Sequence, residues 1–451
     1  MRRTGLMMTV ASVVLMGTTA SYADVTVEEV VNTIAEGQEL DGEGVLREGE
    51  LSIANISIKM KDVLIKQDGP NVIIEPNGVM TVTSKTGPEV DGPAEKKYLV
   101  SSPDMIITLN ELDGERVRGT MTAPQSDITV EQAGKIISKG LSSDFDVDLS
   151  HGGVSTIKFS QKESEGKLSV DGVETETKLA PLNIAASFTH PDKDVFSYET
   201  PFLAIKEGMR ISVNAEGEGA VQTTSVDDEL VTSSNGPWTV SALMDEKVME
   251  LLARTESGKF SIDGKEPFAY DVGAYDLRVK FPSLKGDDMA SLSFSMADMN
   301  PDNITWDTVD PDKAMSRDPL NADIQIGLTL NEKAKNSLFD GGEKTSVIGN
   351  PFSGFSIEKL DVSGMGASVN GGGKVTFSEF GMPQDGAIKI VAKGLNGLLD
   401  TLAKSGVVPE GDLNSVRVPM MMMFKQEGDD TMSMEVTVDN GKISTNGMSL
   451  Q

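Results

Sequence analysis

Alternation is the feature that most limits what this chain can fold into. In Met434-Glu-Val-Thr-Val438 the apolar residues take every second position, while Ser433, Glu435, Thr437 and Asp439 point the other way. A period of two belongs to a half-buried strand. Asn440-Gly441 follows at once, the dipeptide that most readily takes the positive φ angles of a two-residue hairpin. Folding about that turn sets Val438 opposite Ile443 and Asp439 opposite Lys442, so one face stays apolar and the other charged. Asp171-Gly172 and Asp263-Gly264 carry the same turn signal, and residues 51–60, 374–377 and 387–391 the same alternation. The expected class is mainly β, a β-rich α+β fold of large curved antiparallel sheets with a few short covering helices.

Three stretches read as helix. Residues 26–37 open on a capping box, Thr26 with Glu29, place Val27, Val30, Val31 and Ile34 on one side and stop at Gly37. Residues 394–406 put Leu395, Leu398, Leu399 and Leu402 at helical spacing, with Gly406 as the stop and Pro409 beyond. A third is expected over residues 241–253, carrying Leu243, Met244, Met249, Leu251 and Leu252. The phrase Val25-Thr-Val-Glu-Glu, with Ile34 and Gly37, recurs 103 positions later as Ile128-Thr-Val-Glu-Gln, with Ile137 and Gly140. A duplicated unit and two helices that merely share capping rules both account for it.

The first 23 residues have Arg2 and Arg3, an apolar core from Leu6 to Met16, and a small-residue run ending in Ala23. That is the plan of a secretory signal peptide, with cleavage expected between Ala23 and Asp24 and a periplasmic destination. An uncleaved anchor would need about 20 apolar residues, more than this core supplies. No transmembrane segment is expected in the mature chain. It divides at the polar stretch 225–237 into a β-rich half over residues 24–235 and a second over 236–451 that includes the helix at 394–406 and terminal hairpins. With no cysteine there is no disulfide, so the core alone must stabilise the fold.

Charge excludes one large class of partner. The whole chain has 70 acidic against 40 basic residues, and the leader removes two arginines and no acid. So negative a surface repels nucleic acid and suits solubility or cations.

Catalytic signals are absent. His151 and His190 are the only histidines, each beside a turn former, and both read as surface turn residues. No phosphate-binding loop, dinucleotide fingerprint or nucleophile elbow occurs. Gly371-Gly372-Gly373 reads as a turn or bulge. The carboxylates Asp302, Asp307, Asp310 and Asp312, and Asp227, Asp228 and Glu229, lack the spacing and glycine of a calcium loop. Asp302 to Asp312 read as a solvated acidic loop, Asp307, Asp310 and Asp312 being the remaining metal candidates. No cofactor and no enzymatic activity are expected.

The run Met420-Met-Met-Met423 sits in a methionine-rich tail. Copper(I) suits thioethers, yet neighbours on a strand diverge. The run is read as a central strand buried on both faces, with Met420, Met422 and Phe424 on one side, under the leucine helix. Unbranched thioethers fill irregular cores or line grooves for flexible apolar ligands. Met420, Met422, Phe424, Val436, Val438, Ile443, Leu395, Leu398, Leu399 and Leu402 are the expected apolar lining or core.

Three phrases carry a family resemblance: "DVTVEEVVNTIAEGQEL" after the leader, "NITWDTVDPDKAMSRDP" at 303–319, and the stretch from Phe380 that opens "FGMPQDGAIKIVAKGLNGLLDTLAKSGVVPEGD". The chain resembles the Domain of Unknown Function 2125 family, exported proteins of alphaproteobacteria. Its first helix has Val30 and Val31 where that family's version contains tryptophan. The resemblance implies an envelope location and no established activity. The ending, a leucine helix then hairpins closing on Gly441, Ile443, Asn446 and Gly447, is similar to the close of AsmA-like envelope proteins, which are associated with outer-membrane assembly and lipid traffic. The expected function is non-catalytic: a periplasmic protein that binds or shields lipid or other apolar cargo in envelope maintenance. The alternative is an acidic structural or scaffolding protein that meets an envelope protein partner or divalent cations. A carboxylate hydrolase using Asp307 or Asp310 is the third reading.

Overall fold

The computed structural model describes residues 25–34, 40–53, 56–85, 95–113, 116–130, 133–148, 150–170, 172–191, 201–226, 229–265, 267–340, 350–405 and 410–449. The leader and its cleavage point lie outside the described residues, as do Gly37, Asp171, Asp227, Asp228, Gly406 and Pro409. The chain is mainly β, its strands antiparallel, with a few short helices. It forms two compact units, residues 1–193 with 209–228 and residues 194–208 with 229–451.

The first unit opens with α1 (Val27–Ile34), where the expected capping box is in place: Thr26 N donates to Glu29 Oε2 (2.9 Å) and Glu29 N to Thr26 Oγ1 (3.3 Å). Its strands are β1 (Val45–Ile53), β2 (Ile56–Asp68), β3 (Asn71–Pro76), β4 (Met80–Lys85), β5 (Glu95–Ser101), β6 (Ile106–Asp113) and β7 (Arg116–Val130). They continue with β8 (Gly134–Asp148), β9 (Val154–Gln161), β10 (Glu163–Val170), β11 (Val173–Leu179), β12 (Leu182–Thr189), β13 (Arg210–Gly217) and β14 (Ala220–Val226). Two long strands each share one edge between two neighbours. β2 pairs with β3 and with β4, and β7 pairs with β6 over its first half and β5 over its second. Since β3 joins β6 and β4 joins β5, two pairs of strands lie side by side between β2 and β7. Val63, Ile65, Val72, Ile74, Leu109 and Met121 are all buried in this unit. Gly119 has no room for a side chain, because an added Cβ would meet Phe145 Cζ at 2.8 Å.

Several expectations change here. Residues 51–60 are not one strand but the two sides of the β1–β2 hairpin, Ser52 opposite Ser57. The phrase repeated at 103 positions takes two conformations. Val27–Ile34 is helix, whereas Ile128 and Val130 end β7 and Ile137 lies in β8. Only the first copy has its threonine hydroxyl bonded to a helical amide. His190 is half-buried rather than on the surface, its ring edge-on to Phe188 at 5.0 Å, and its Nε2 is buried without a partner. His151 is exposed in its turn, with Nδ1 3.1 Å from the Pro191 carbonyl.

The second unit contains α2 (Pro201–Lys206) and strands β15 (Glu229–Asn235), β16 (Trp238–Met244), β17 (Met249–Thr255), β18 (Gly258–Asp263), β19 (Phe268–Val272), β20 (Ala274–Lys280) and β21 (Met289–Pro301). Then come α3 (Asn303–Val309), β22 (Leu320–Leu330), α4 (Glu332–Phe339), β23 (Phe352–Gly364), β24 (Ala367–Phe377) and β25 (Pro383–Lys393). The end is α5 (Leu395–Ser405), α6 (Glu410–Met423), β26 (Lys425–Gly428), β27 (Thr431–Asp439), β28 (Lys442–Thr445) and β29 (Met448–Ser449). The Asn440-Gly441 hairpin forms with the expected register, Val438 opposite Ile443 and Asp439 opposite Lys442, both turn residues at positive φ.

Residues 241–253 are not a helix. They are the β16–β17 hairpin, Leu243 opposite Glu250. Asp245 decides this: its Oδ1 accepts from the amides of Lys247 and Val248, both at 2.7 Å, and turns the chain where a helix would run on. The acidic stretch from Asp302 to Asp312 is not a solvated loop but is built around α3. Asp302 caps it by accepting from Thr305 N (2.7 Å), and Trp306 is buried beneath. Asp310 is only 1% exposed and accepts from the amides of Ala314 (2.8 Å) and Met315 (2.9 Å).

Candidate functional site

Antiparallel partners directly opposite one another share a face of the sheet. Following the registers across the second unit shows what that face holds. Ala242, Leu251, Val279, Leu292, Ile326, Ile357, Gly373, Ile388 and Val436 form one row through β16, β17, β20, β21, β22, β23, β24, β25 and β27. The next row is Val240, Ala253, Leu277, Phe294, Ile324, Leu360, Gly371, Ile390 and Met434, followed by one that includes Trp238, Tyr275, Met296, Val362, Val369, Ala392 and Met432. A partial fourth has Ala290, Leu328, Phe355, Val375 and Val438. Nine strands at ~4.8 Å spacing make each row about 38 Å long, and four rows cover about 20 Å along the strands.

A bulge keeps the rows aligned. Between β23 and β24 the register jumps from Ile357–Gly373 to Leu360–Gly371, so the Gly371–Gly373 triplet is a bulge partner, as its composition suggested. An added Cβ on Gly373, at φ +141°, would meet the Ala387 carbonyl at 2.1 Å. At the far end of β21, past Asp298 (φ 55°), Pro301 pairs with Tyr270 and carries the same face onto β19 and β18. There Phe260 and Tyr270 stack with centroids 5.3 Å apart.

The two faces of this sheet differ sharply. Behind the rows lie Glu250, Arg278, Lys280, Asp323, Gln325 and Lys359, tied across strands by pairs such as Arg278–Glu250 (3.3 Å) and Lys280–Glu250 (3.8 Å). The hydrogen bond and then the charge of Asp323 push the Lys359 ammonium above its usual value. The apolar face is only partly covered. Tyr275, Leu277, Leu292 and Leu328 are 38%, 37%, 41% and 38% exposed, and Ile324, Ile326, Ile357 and Leu360 are half-buried. An apolar strip left partly uncovered in this way is unusual on a protein surface. Covering each such side chain is worth on the order of 1 kcal/mol.

One end of the face is closed. Ala392, Leu399, Leu413, Met420 and Met432 form a buried cluster, with Val369, Leu395, Leu402, Ala403 and Phe424 against it. Here α5 and α6 sit on the third row at β24, β25 and β27. Leu398 is half-buried, as are Val436 and Ile443, and Val438 is buried. These expected residues therefore fall on the face or under its helical cap.

The methionine run departs from expectation. It is not a central strand: Met420–Met423 end α6, and Met422 is 77% exposed, Met421 75%. The cap explains why. Leu413, Met420 and Phe424 are spaced seven and four apart and reach the cluster together from one side of a helix. A strand would have brought Met422 instead. The amide of Phe424 still donates to the Met420 carbonyl at 2.8 Å, as in a helix.

Metal candidates do not converge. Asp307 faces Arg317 at 3.4 Å, Asp310 is bonded by amides, and Asp312 is exposed. Among the described residues no three carboxylates or imidazoles are gathered to hold a metal ion. Among the same residues no helix is long and apolar enough to cross a membrane.

The apolar rows themselves were missed in the sequence. Their signal was the alternation within each strand, but the first row joins residues as close as Ala242 with Leu251 and as far apart as Ile388 with Val436, and only the register brings them together.

No curated protein and no solved structure matches the chain. A family model described as "Uncharacterized protein conserved in bacteria (DUF2125)" matches residues 179–450, which takes in "NITWDTVDPDKAMSRDP" and nearly all of the C-terminal stretch from Phe380, and leaves the phrase at Asp24 outside. The chain belongs to the DUF2125 family.

Proposed function

We propose that this is a non-catalytic periplasmic protein that binds and shields lipid or other apolar cargo in maintenance of the cell envelope. The observation that carries the reading is the apolar face of the second unit, nine strands wide and partly uncovered, with its charged reverse side turned to water. A hydrocarbon leaflet is about 15 Å deep, half of a bilayer's ~30 Å core. Rows of about 38 Å accommodate acyl chains at full length. The signal-like leader supports an exported location. The ending, α5 followed by hairpins that turn at Asn440-Gly441 and Asn446-Gly447, is similar to the close of AsmA-like envelope proteins and supports a lipid role by analogy of fold alone.

Native mass spectrometry of protein purified from the periplasm tests this, before and after incubation with phospholipid vesicles. Wild type should retain or acquire lipid. The double variant Leu292→Asp with Leu328→Asp, at positions exposed enough to fold, should acquire little. A clean apo mass for wild type that stays unchanged on incubation would overturn the proposal.

The net charge of −30 favours a second reading, an acidic scaffold for a basic envelope partner or divalent cations. Crosslinking that traps a protein partner and weakens with salt would support it over the first.

A further inference from the structure

We infer, resting on the cargo reading above, that the cargo is an amphiphile held in one orientation: its polar headgroup at an aromatic corner formed by β16, β18, β19 and β20, its acyl chains along the third row toward the α5–α6 cap. The side chains of the face change in kind from one end to the other. The described tyrosines of the second unit are Tyr270 and Tyr275, and of its two tryptophans Trp306 is buried. The other, Trp238, shares the third row with Tyr275, the two flanking Thr255 of β17. Tyr275 leans over β18, where a Cβ added to Gly258 would meet its Cε1 at 3.4 Å, and Phe260, two positions on, stacks on Tyr270. Phe268 meets the Tyr270 ring edge-on at 5.7 Å. Trp238 and Tyr270 are half-buried, and Tyr275 is exposed. Rings of these two types have an apolar body and a polar tip, and they collect where hydrocarbon meets water.

The far end of the same row has the opposite character. Past Tyr275 it runs through Met296, Ala322, Val362 and Val369, none with a charge or a hydrogen-bonding tip, and ends under Leu399 and Met420 of the cap. A headgroup placed there would lose its water and gain no partner. At the corner it keeps its water and meets phenol and indole donors. The span agrees: Tyr275 on β20 and Val369 on β24 are four strand spacings apart, about 19 Å, against a hydrocarbon leaflet about 15 Å deep. A cargo without a headgroup would draw nothing from the polar tips, so the class is a phospholipid or a similar amphiphile.

The test uses the intact exported protein, loaded from phosphatidylcholine vesicles and then separated from them. The lipid carries a nitroxide either on the choline or near the end of one acyl chain, and native mass spectrometry counts what is acquired. Nitroxides quench tryptophan fluorescence only at close range. The variant Trp238→Phe, which keeps Trp306 alone, supplies the signal to subtract. In wild type the headgroup label should quench Trp238 several-fold more than the chain-end label. A second reporter, Trp238→Phe with Phe424→Trp, sets the indole against the cap cluster, and there the order should reverse. Loaded wild type in which the chain-end label quenches Trp238 as much as the headgroup label, or in which neither label does, overturns the inference and leaves the cargo reading standing. Protein that acquires neither lipid sinks the cargo reading, and this inference with it.

Discussion

The carboxylate of Asp430, in the turn between β26 and β27, accepts the amide protons of Asn396 (3.0 Å) and Gly397 (2.9 Å) at the start of the leucine helix α5. A residue 33 positions away thus satisfies orphan amides that the helix cannot satisfy itself. The Asp430 carbonyl also accepts from Gly394 N at 2.9 Å. The cap on the apolar face is held shut from the hairpin beneath it.

Replacing Asp430 by Ala should cost about 1 kcal/mol, as for a lost helix cap. Asp430→Asn suits the φ of 51° but keeps only one of the two accepting oxygens, so it should cost less than Ala and more than nothing. Hydrogen exchange of α5 amides checks this: protection should fall most in the Ala variant and partway in the Asn variant. Equal protection in all three proteins would show that the hairpin does not secure the cap.

Two methionines of one run should respond very differently to substitution. Met420 is 8% exposed inside the cap cluster, so Met420→Ala should destabilise by about 2–5 kcal/mol through lost contacts and a cavity. Met422→Ala, at 77% exposure, should stay within about 0.5 kcal/mol. Urea unfolding of the two variants separates helix from strand, since a buried strand would make both costly.

Mild acid should loosen the first unit. Burial holds His190 below the usual imidazole value of 6.5, outweighing the attraction of Asp148, while His151 adds to the lowering. The folded state then takes up this proton less readily than the unfolded chain. The contribution is full above about 6.5 and is lost as pH falls through the lowered folded value. Stability measured at about pH 8 and about pH 5 should therefore decline, and His190→Gln should flatten the decline. An identical slope in wild type and variant would place the titration elsewhere.

Gly373 should tolerate no side chain. Its φ of +141° and the Ala387 carbonyl 2.1 Å from an added Cβ leave Gly373→Ala both strained and clashing. Loss of stability together with loss of lipid uptake is the expected outcome, whereas an Ala variant of unaltered melting temperature would show that the bulge can relax.

How much of this could be read from residues alone depended on the range of the interaction involved. Thr26 with Glu29 and Asn440 with Gly441 act over a few positions, and the helix start and the hairpin register followed from them. The Leu395–Leu402 pattern likewise marked α5. The Met420–Met423 run failed because four apolar residues in succession satisfy either period, and the deciding partner, Leu413, lies seven positions before Met420, outside the run. At 241–253 apolar residues happened to fall at helical spacing across a turn made by Asp245. The apolar face was the least legible of all. Leu292 and Ile326 are paired across β21 and β22, and Ile357 and Ile388 flank Gly373 on consecutive strands, but the bulge in β23 and the turn positions that set those registers are not marked by local alternation.

The match to the DUF2125 family starts at residue 179, inside β11 and partway through the first unit. β12 is hydrogen-bonded along its length to β9, and β14 to β11. A truncated protein beginning there would leave β12 with β13 alone and strip β14 of nearly all of β11, baring two rows of backbone donors and acceptors ready to recruit other molecules. Such a fragment should precipitate or form oligomers, and the full-length chain should stay monodisperse in the same buffer. The sequence limits of a conserved family and the physical limits of a foldable piece are different boundaries in this protein.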